Sequence, residues 1–207
     1  MKSILFYSMV LIGLIGCGGG GGGSGGSSGG GSGGGSGGTS ATPNPYPAPN
    51  ILDADKQEYL RVINNARAVE QDCGTEGIKP AVPALSWNDE LYSAAYEHSN
   101  DLAESNTASH DGSGTASDWT GMDLGGKQST YIERIENNGY SWRSAGENIT
   151  MGTTRDTAQK AIDSWLASDG HCANLMSSSY TEVGLAHVEK AGTTYIHYWT
   201  QEFGKPR

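Results

Sequence analysis

Three polar side chains, far apart in the sequence, sit in stretches suited to holding a single group still. They are His110 in Ala108-Ser109-His110-Asp111, Glu147 in Gly146-Glu147-Asn148-Ile149, and His171 in Asp169-Gly170-His171-Cys172. Two imidazoles and a carboxylate are what a divalent metal or an acid–base site requires. Under a metal reading, His110 and His171 hold Zn²⁺, and Glu147 is a third ligand or a base for bound water. No His-Glu-x-x-His helix is present, which excludes a standard zincin. Ser144 and Ser168 lie near these stretches, but neither occupies a Gly-x-Ser-x-Gly elbow, so a serine triad is poorly supported. Cys172 beside His171 is a candidate thiolate only if it has no cysteine partner.

The elements that position these residues follow from hydrophobic spacing. Asp53 to Gln71 reads as a helix, with Asp53 as its cap and Tyr59, Leu60, Val62, Ile63, Ala66, Arg67 and Val69 along its inner side. A second helix starts at Asn88 or Asp89 and buries Leu91, Ala94, Ala95, His98 and Leu102. On that stripe His98 reads as a core histidine satisfied by a backbone partner. Residues Asp111 to Ser129 form a long loop, whose Asp111, Asp118 and Asp123 lack EF-hand spacing and read as solvated. Short helices follow over Tyr131 to Asn137 and Thr157 to Ala167, the latter broken by Asp169-Gly170. Between them a strand starting near Ala145 carries Glu147. Glu182 to Glu189 and Thr193 to Phe203 read as strands joined through Ala191-Gly192. The last strand has large side chains at both parities, so both of its faces are covered; His187 and His197 carry no local motif and read as structural or surface residues. Helices followed by a terminal antiparallel hairpin give an α+β sandwich.

The N-terminal region reads as an address. Lys2 and the apolar run Ile4 to Ile15, too short to span a bilayer, end in Leu14-Ile15-Gly16-Cys17. This resembles a bacterial lipobox: residues 1–16 are the expected signal peptide, and Cys17 the expected lipidation site. Residues 17–49 form a tether of Gly and Ser followed by prolines. The Gly18 to Gly38 part has an r.m.s. reach of roughly 25 Å. Residues 50–207 are the globular domain. The net charge of −10 argues against nucleic acid and against electrostatic adhesion to anionic lipid. Once Cys17 is acylated, Cys73 and Cys172 remain as an even pair in an oxidising compartment, and a disulfide is expected between them.

Taken in order, several segments resemble the CAP superfamily of cysteine-rich secretory, antigen 5 and pathogenesis-related proteins, and its bacterial SCP-like branch in particular. They are Ile63-Asn64-Asn65-Ala66-Arg67, Leu85-Ser86-Trp87-Asn88, Ser109-His110, Gly146-Glu147-Asn148-Ile149, Gly170-His171 and Tyr198-Trp199-Thr200-Gln201. The resemblance implies a three-layer α-β-α sandwich with a central antiparallel sheet and a groove. It places His110, Glu147 and His171 in that groove, with Ser168 where animal relatives carry a second glutamate. Glu147 is then the one candidate catalytic residue, and Ser168 joins the others as a groove residue. The expectation is an extracytoplasmic, lipid-anchored protein of the outer membrane or cell surface. Its groove binds a lipid or sterol, a peptide or an envelope component, with a divalent cation such as Zn²⁺ as an optional aid. A zinc-assisted hydrolase using His110, His171 and Glu147, and a surface interaction or adhesion protein, are the alternatives.

The anchor is testable by fatty-acid labelling of cells expressing the full chain. Label is expected in the wild type and absent from Cys17→Ser; equal labelling of both excludes Cys17 as the site.

Overall fold

The computed structural model describes residues 47–207. The expected signal peptide, Cys17 and most of the tether lie outside the described residues. The described chain runs α1 (Asp53–Arg67), β1 (Gln71–Asp72), β2 (Ile78–Lys79), β3 (Ser86–Trp87), α2 (Asp89–Ser105), α3 (Trp119–Asp123) and α4 (Tyr131–Asn137). It continues through β4 (Trp142–Gly152), α5 (Ala158–Leu166), α6 (Asp169–Leu175), β5 (Glu182–Glu189) and β6 (His197–Pro206). Among the described residues no helix is long and apolar enough to cross a membrane.

The main sheet has the order β3-β5-β6-β4. The β5–β6 and β6–β4 pairs are antiparallel, and the short β3 joins β5 in parallel. Side chains alternate across a strand, so each parity of β5 and β6 meets a different helical layer. Val183, Leu185, Trp199 and Phe203 pack with Val62 and Ile63 of α1 and with Ala161, Ile162 and Trp165 of α5. On the opposite face Ala186 packs with Tyr92 and Ala95 of α2, and Tyr198 with Leu102 and Ala103. The result is the expected three-layer α-β-α sandwich. Gly184 marks how closely the layers approach, since a Cβ there would meet the Tyr92 backbone nitrogen at 2.1 Å.

The α1/α6 side is tied by polar and covalent links. The fully buried Arg67 guanidinium donates to the carbonyls of Pro83, Leu175 and Ser177. Burial lowers its pKa to about 10. Cys73 and Cys172 form the expected disulfide, joining positions 99 apart in sequence. Asp169 adds a second link by accepting from the backbone nitrogen and the hydroxyl of Thr75, at 2.9 and 2.5 Å.

Several local expectations are corrected. Asp53 is the first helical residue rather than the cap; the N-cap is Leu52, with no side-chain cap bond. The helix stops at Arg67, and Val69 is exposed. The segment after His110 contains α3, and Asp118 is buried rather than solvated. Its carboxylate caps α3 through Gly121 and also accepts from Gly114 and Ser129. The preceding helix does stop before Asp169-Gly170, as expected, but the same pair then opens the further helix α6. The last strand begins at His197, not Thr193, because Ile196 takes a left-handed φ of 68° that cannot continue a pleat.

Removing the disulfide in Cys73→Ala/Cys172→Ala is expected to cost roughly 4 kcal/mol in chemical denaturation, since the closed loop is long. Two titratable thiols in unreduced wild-type protein would contradict the pairing.

Candidate functional site

β4 is an edge strand, and the site straddles it. Glu147 turns toward the α2/α4 layer, and its neighbour Asn148 toward α6. Asn148 Nδ2 donates to the His171 carbonyl at 3.2 Å, and its Oδ1 accepts from Asn174 at 3.0 Å. Gly146 has a steric role beside them: a Cβ there would strike the Tyr180 hydroxyl at 2.3 Å. Four alternate carbonyls of β4 accept side-chain hydrogen bonds. Ala145 accepts from the Tyr180 hydroxyl at 3.5 Å, Glu147 from Asn174 at 3.0 Å and Ile149 from the Trp165 indole at 2.9 Å. Met151 accepts from Arg155. An open sheet edge is a template for strand pairing, and these caps close much of it.

The Glu147 carboxylate is 1% exposed and has both oxygens engaged. Oε1 meets His110 Nδ1 at 2.7 Å, and Oε2 accepts from Arg134 Nη2 at 2.8 Å. Directly across the sheet stands Glu202, fully buried, in register with Glu147. Two like charges in that position repel, and neither has water to screen it. Among the described residues no donor is hydrogen-bonded to either Glu202 oxygen. A proton on Glu202 resolves both problems, because the neutral acid carries no second charge and needs no screening water. Burial, then the Glu147 charge, push the Glu202 carboxyl well above the usual carboxylate range. Burial also opposes ionisation of Glu147. The charges of His98 and Arg134 and the hydrogen bond from His110 outweigh it and hold that carboxyl far below the ordinary range. Burial and Arg134 keep His98 down at about 3, so at neutral pH the standing cation beside Glu147 is Arg134.

His110 is held at three points. Glu147 fixes its ring, Arg134 Nη2 donates to its carbonyl at 2.9 Å, and His98 Nε2 donates to the preceding Ser109 carbonyl at 2.9 Å. His98 is thus a core histidine with a backbone partner on Nε2, as its stripe predicts, and a support for the site, although its buried Nδ1 has no partner among the described residues. His171 sits on α6 with Nδ1 on the Ser168 hydroxyl at 2.9 Å. The two ring centroids are 6.2 Å apart. Their proton affinities diverge: the Glu147 hydrogen bond raises that of His110, while burial and the nearby His110 charge lower that of His171. Such a pair biases His110 toward donating and His171 toward accepting.

His110, Glu147, Ser168 and His171 line one cavity of about 620 Å³ together with Asn174 and Tyr180. Glu147 contributes as the anchor beneath His110 and not as a free ligand oxygen. Cys172 is disulfide-bonded, which removes it as a nucleophile. Ser144 does not line the cavity. Arg134 and Glu202 are missing from the sequence reading, although both leave a signal. Arg134 lies on the Tyr131–Ile135 stripe of its helix. Glu202 is a charged residue in a strand that is bulky at both parities, where an acid needs a buried partner.

Fold and site together define an α-β-α sandwich domain with a polar, two-histidine groove at one edge of its sheet. The sequence signature of the cysteine-rich secretory protein family matches residues 60–203, and the chain belongs to that family. It is 24% identical over 159 residues to the uncharacterized protein YkwD of Bacillus subtilis, covering 75% of this chain and 49% of YkwD. It therefore spans about half the length of that curated relative. A similar fold occurs in an SCP-domain extracellular protein from Bacillus anthracis, with TM-score 0.52, 23% identity, and coverage of 76% of this chain and 45% of that one. An outer surface protein from Borrelia burgdorferi also has TM-score 0.52, with 19% identity and coverage of 78% and 99%.

The cluster sets the pH dependence of stability. His98 has an ordinary value of 6.5 unfolded and about 3 folded, so acidification below pH 6.5 protonates the unfolded chain preferentially and destabilises the fold. The lowered His171 and His187 act in the same direction. Glu202 and His110 have raised folded values, so their contribution falls as pH rises through those values. Melting temperature is therefore expected to peak near pH 6.5, and Glu202→Gln to flatten the alkaline limb. An unchanged alkaline limb in Glu202→Gln contradicts the protonated acid.

Proposed function

We propose that the protein is an extracytoplasmic, lipid-anchored binding module whose groove takes a hydroxyl- and carbonyl-bearing component of the cell envelope. The observation that carries this reading is the engagement of both Glu147 oxygens below the groove. The carboxylate orients His110 and raises its proton affinity, but has no free oxygen with which to activate water. Hydrolysis through Glu147 would require breaking its bond to His110 or to Arg134, each costing more than an exposed pair because the group is buried. Ser168 stands in the remaining position, and the cavity's other carboxylate, the exposed Glu76 between β1 and β2, has no hydrogen bond to either imidazole.

The lining also narrows the ligand. It carries several convergent polar side chains (Glu76, His110, Ser168, His171, Asn174, Tyr180), which suit a ligand that bears hydroxyl and carbonyl oxygens. The capped carbonyls of β4 disfavour a peptide added as a further strand. Recognition then rests on His110 as donor and His171 as acceptor. The extracytoplasmic placement is supported by the Cys73–Cys172 disulfide and by the two proteins of similar fold, one described as extracellular and the other as an outer surface protein.

A divalent cation fits as an accessory. Each imidazole has its Nδ1 occupied by Glu147 or Ser168, leaving Nε2 as the ligand nitrogen. A carboxylate behind a histidine is the usual outer support of a zinc ligand. Among the described residues no group of three or more His, Cys, Asp or Glu side chains is placed to hold a metal, so the protein supplies two ligands here. Bound Zn²⁺ would supply a Lewis-acidic contact to a ligand oxygen.

The test is equilibrium binding of soluble peptidoglycan fragments and of phospholipid vesicles to the full-length protein, with and without Zn²⁺. Fragment binding is expected, weakened at least about tenfold in His110→Ala/His171→Ala, the equivalent of losing about 1.4 kcal/mol. Affinity unchanged in that variant, or binding confined to vesicles, overturns the reading.

A further inference from the structure

A second cluster of ligating side chains lies on the α1/α5 face of the sheet, on strands β5 and β6 rather than β4. His187 pairs directly with Trp199, and Glu189 with His197. All four side chains share one face, because each strand contributes residues two apart. His187 and His197 are diagonal neighbours, and their facing nitrogens, Nε2 and Nδ1, are 3.1 Å apart. The His187 ring lies flat on the Trp199 indole, with centroids 4.1 Å apart and planes 10° apart. His197 is largely buried, and its Nδ1 also has the Glu189 carboxylate at 4.0 Å, on a side chain that is 64% exposed. Asp156, before α5, is close enough to influence both imidazoles.

We propose that His187 and His197 form a second divalent transition-metal site, with Glu189 as its third protein ligand. Two imidazole nitrogens on a tetrahedral zinc, each about 2.0–2.1 Å from it, stand roughly 3.3 Å apart. The observed 3.1 Å separation is therefore nearly that of a chelated pair. In the metal-free protein one proton bridges the facing nitrogens. A cation takes its place, and each neutral ring then carries its single proton on the other nitrogen, His187 Nδ1 and His197 Nε2. Imidazole with carboxylate suits zinc, nickel or copper rather than calcium or magnesium. The third ligand is not preset. Glu189 completes the set by a rotamer change that its exposure permits, which makes this a site that closes on its ion. The stacked Trp199 holds His187 in place, so one of the two ring ligands is fixed before the metal arrives.

The site is independent of the groove, and its test keeps the two apart. Zn²⁺ is titrated calorimetrically into the untagged full-length protein, into His110→Gln/His171→Gln, and into that variant carrying His187→Gln/His197→Gln as well. The groove variant is expected to retain one equivalent, and the fourfold variant to lose it; Glu189→Gln in the groove-variant background weakens binding at least about fivefold, as the loss of one ligand should. No binding in the groove variant, or binding that survives in the fourfold variant, overturns the proposal. Should the fourfold variant fail to fold, imidazole NMR of the groove variant decides. Substoichiometric Zn²⁺ must shift the His187 and His197 resonances together, and unshifted resonances overturn the proposal equally.

Discussion

A buried, ionised carboxylate opposite a second buried carboxyl on the next strand is the constraint around which the site is arranged. Glu147 and Glu202 are register partners in a sheet covered on both faces. Neither can be ionised there without compensation, and two charges are worse than one. The structure meets this with one permanent cation, one proton and one imidazole: Arg134 below, the acid proton of Glu202 across the sheet, and His110 at the rim. Each compensation constrains another element. Arg134 fixes α4 against β4, and through the carbonyls of Ser129 and His110 it also fixes both ends of the segment between α2 and α4. His98 secures the same segment from α2.

The other half of the groove is positioned independently. His171 is on α6, which is held by the disulfide to the turn after β1, by Asp169 to Thr75, and by Arg67 to the end of α1. Asn174 then joins α6 to the Glu147 carbonyl. The two imidazoles thus reach one cavity from opposite layers of the sandwich, each fixed by links that do not depend on the other. A binding groove benefits from this arrangement, because its donor and acceptor are placed before a ligand arrives and little ordering cost remains on binding. The same buried links account for the opposed proton affinities: His110 faces a carboxylate, and His171 faces only a hydroxyl.

Much of this arrangement is legible in the sequence. The helical stripes of α2 and α5, the short α4 and the β5–β6 hairpin follow from apolar spacing and turn residues. His110, Glu147 and His171 stand out by their local stretches, and the family resemblance supplies their common groove. What the sequence hides is long-range pairing. Nothing local to Glu202 says that it faces Glu147, since register across β4 and β6 is set by the whole sheet. Asp118 reads as solvated because its partners, Gly114, Gly121 and Ser129, come together only when the segment curls around it. Asp169-Gly170 reads as a break because either residue can end a helix, and the disulfide and Thr75 contacts that let a new one begin are distant in sequence. The edge caps on β4 come from residues that have no shared motif.

The most direct test of this account is a carbon-13 NMR pH titration of the glutamate side-chain carboxyls in the full-length, metal-free protein. The account predicts that Glu202 is protonated at neutral pH while Glu147 remains ionised well below the ordinary carboxylate range. Ordinary titration of both carboxyls near pH 4.5, the unperturbed value, would contradict it and remove the physical basis for the raised proton affinity of His110 at the groove.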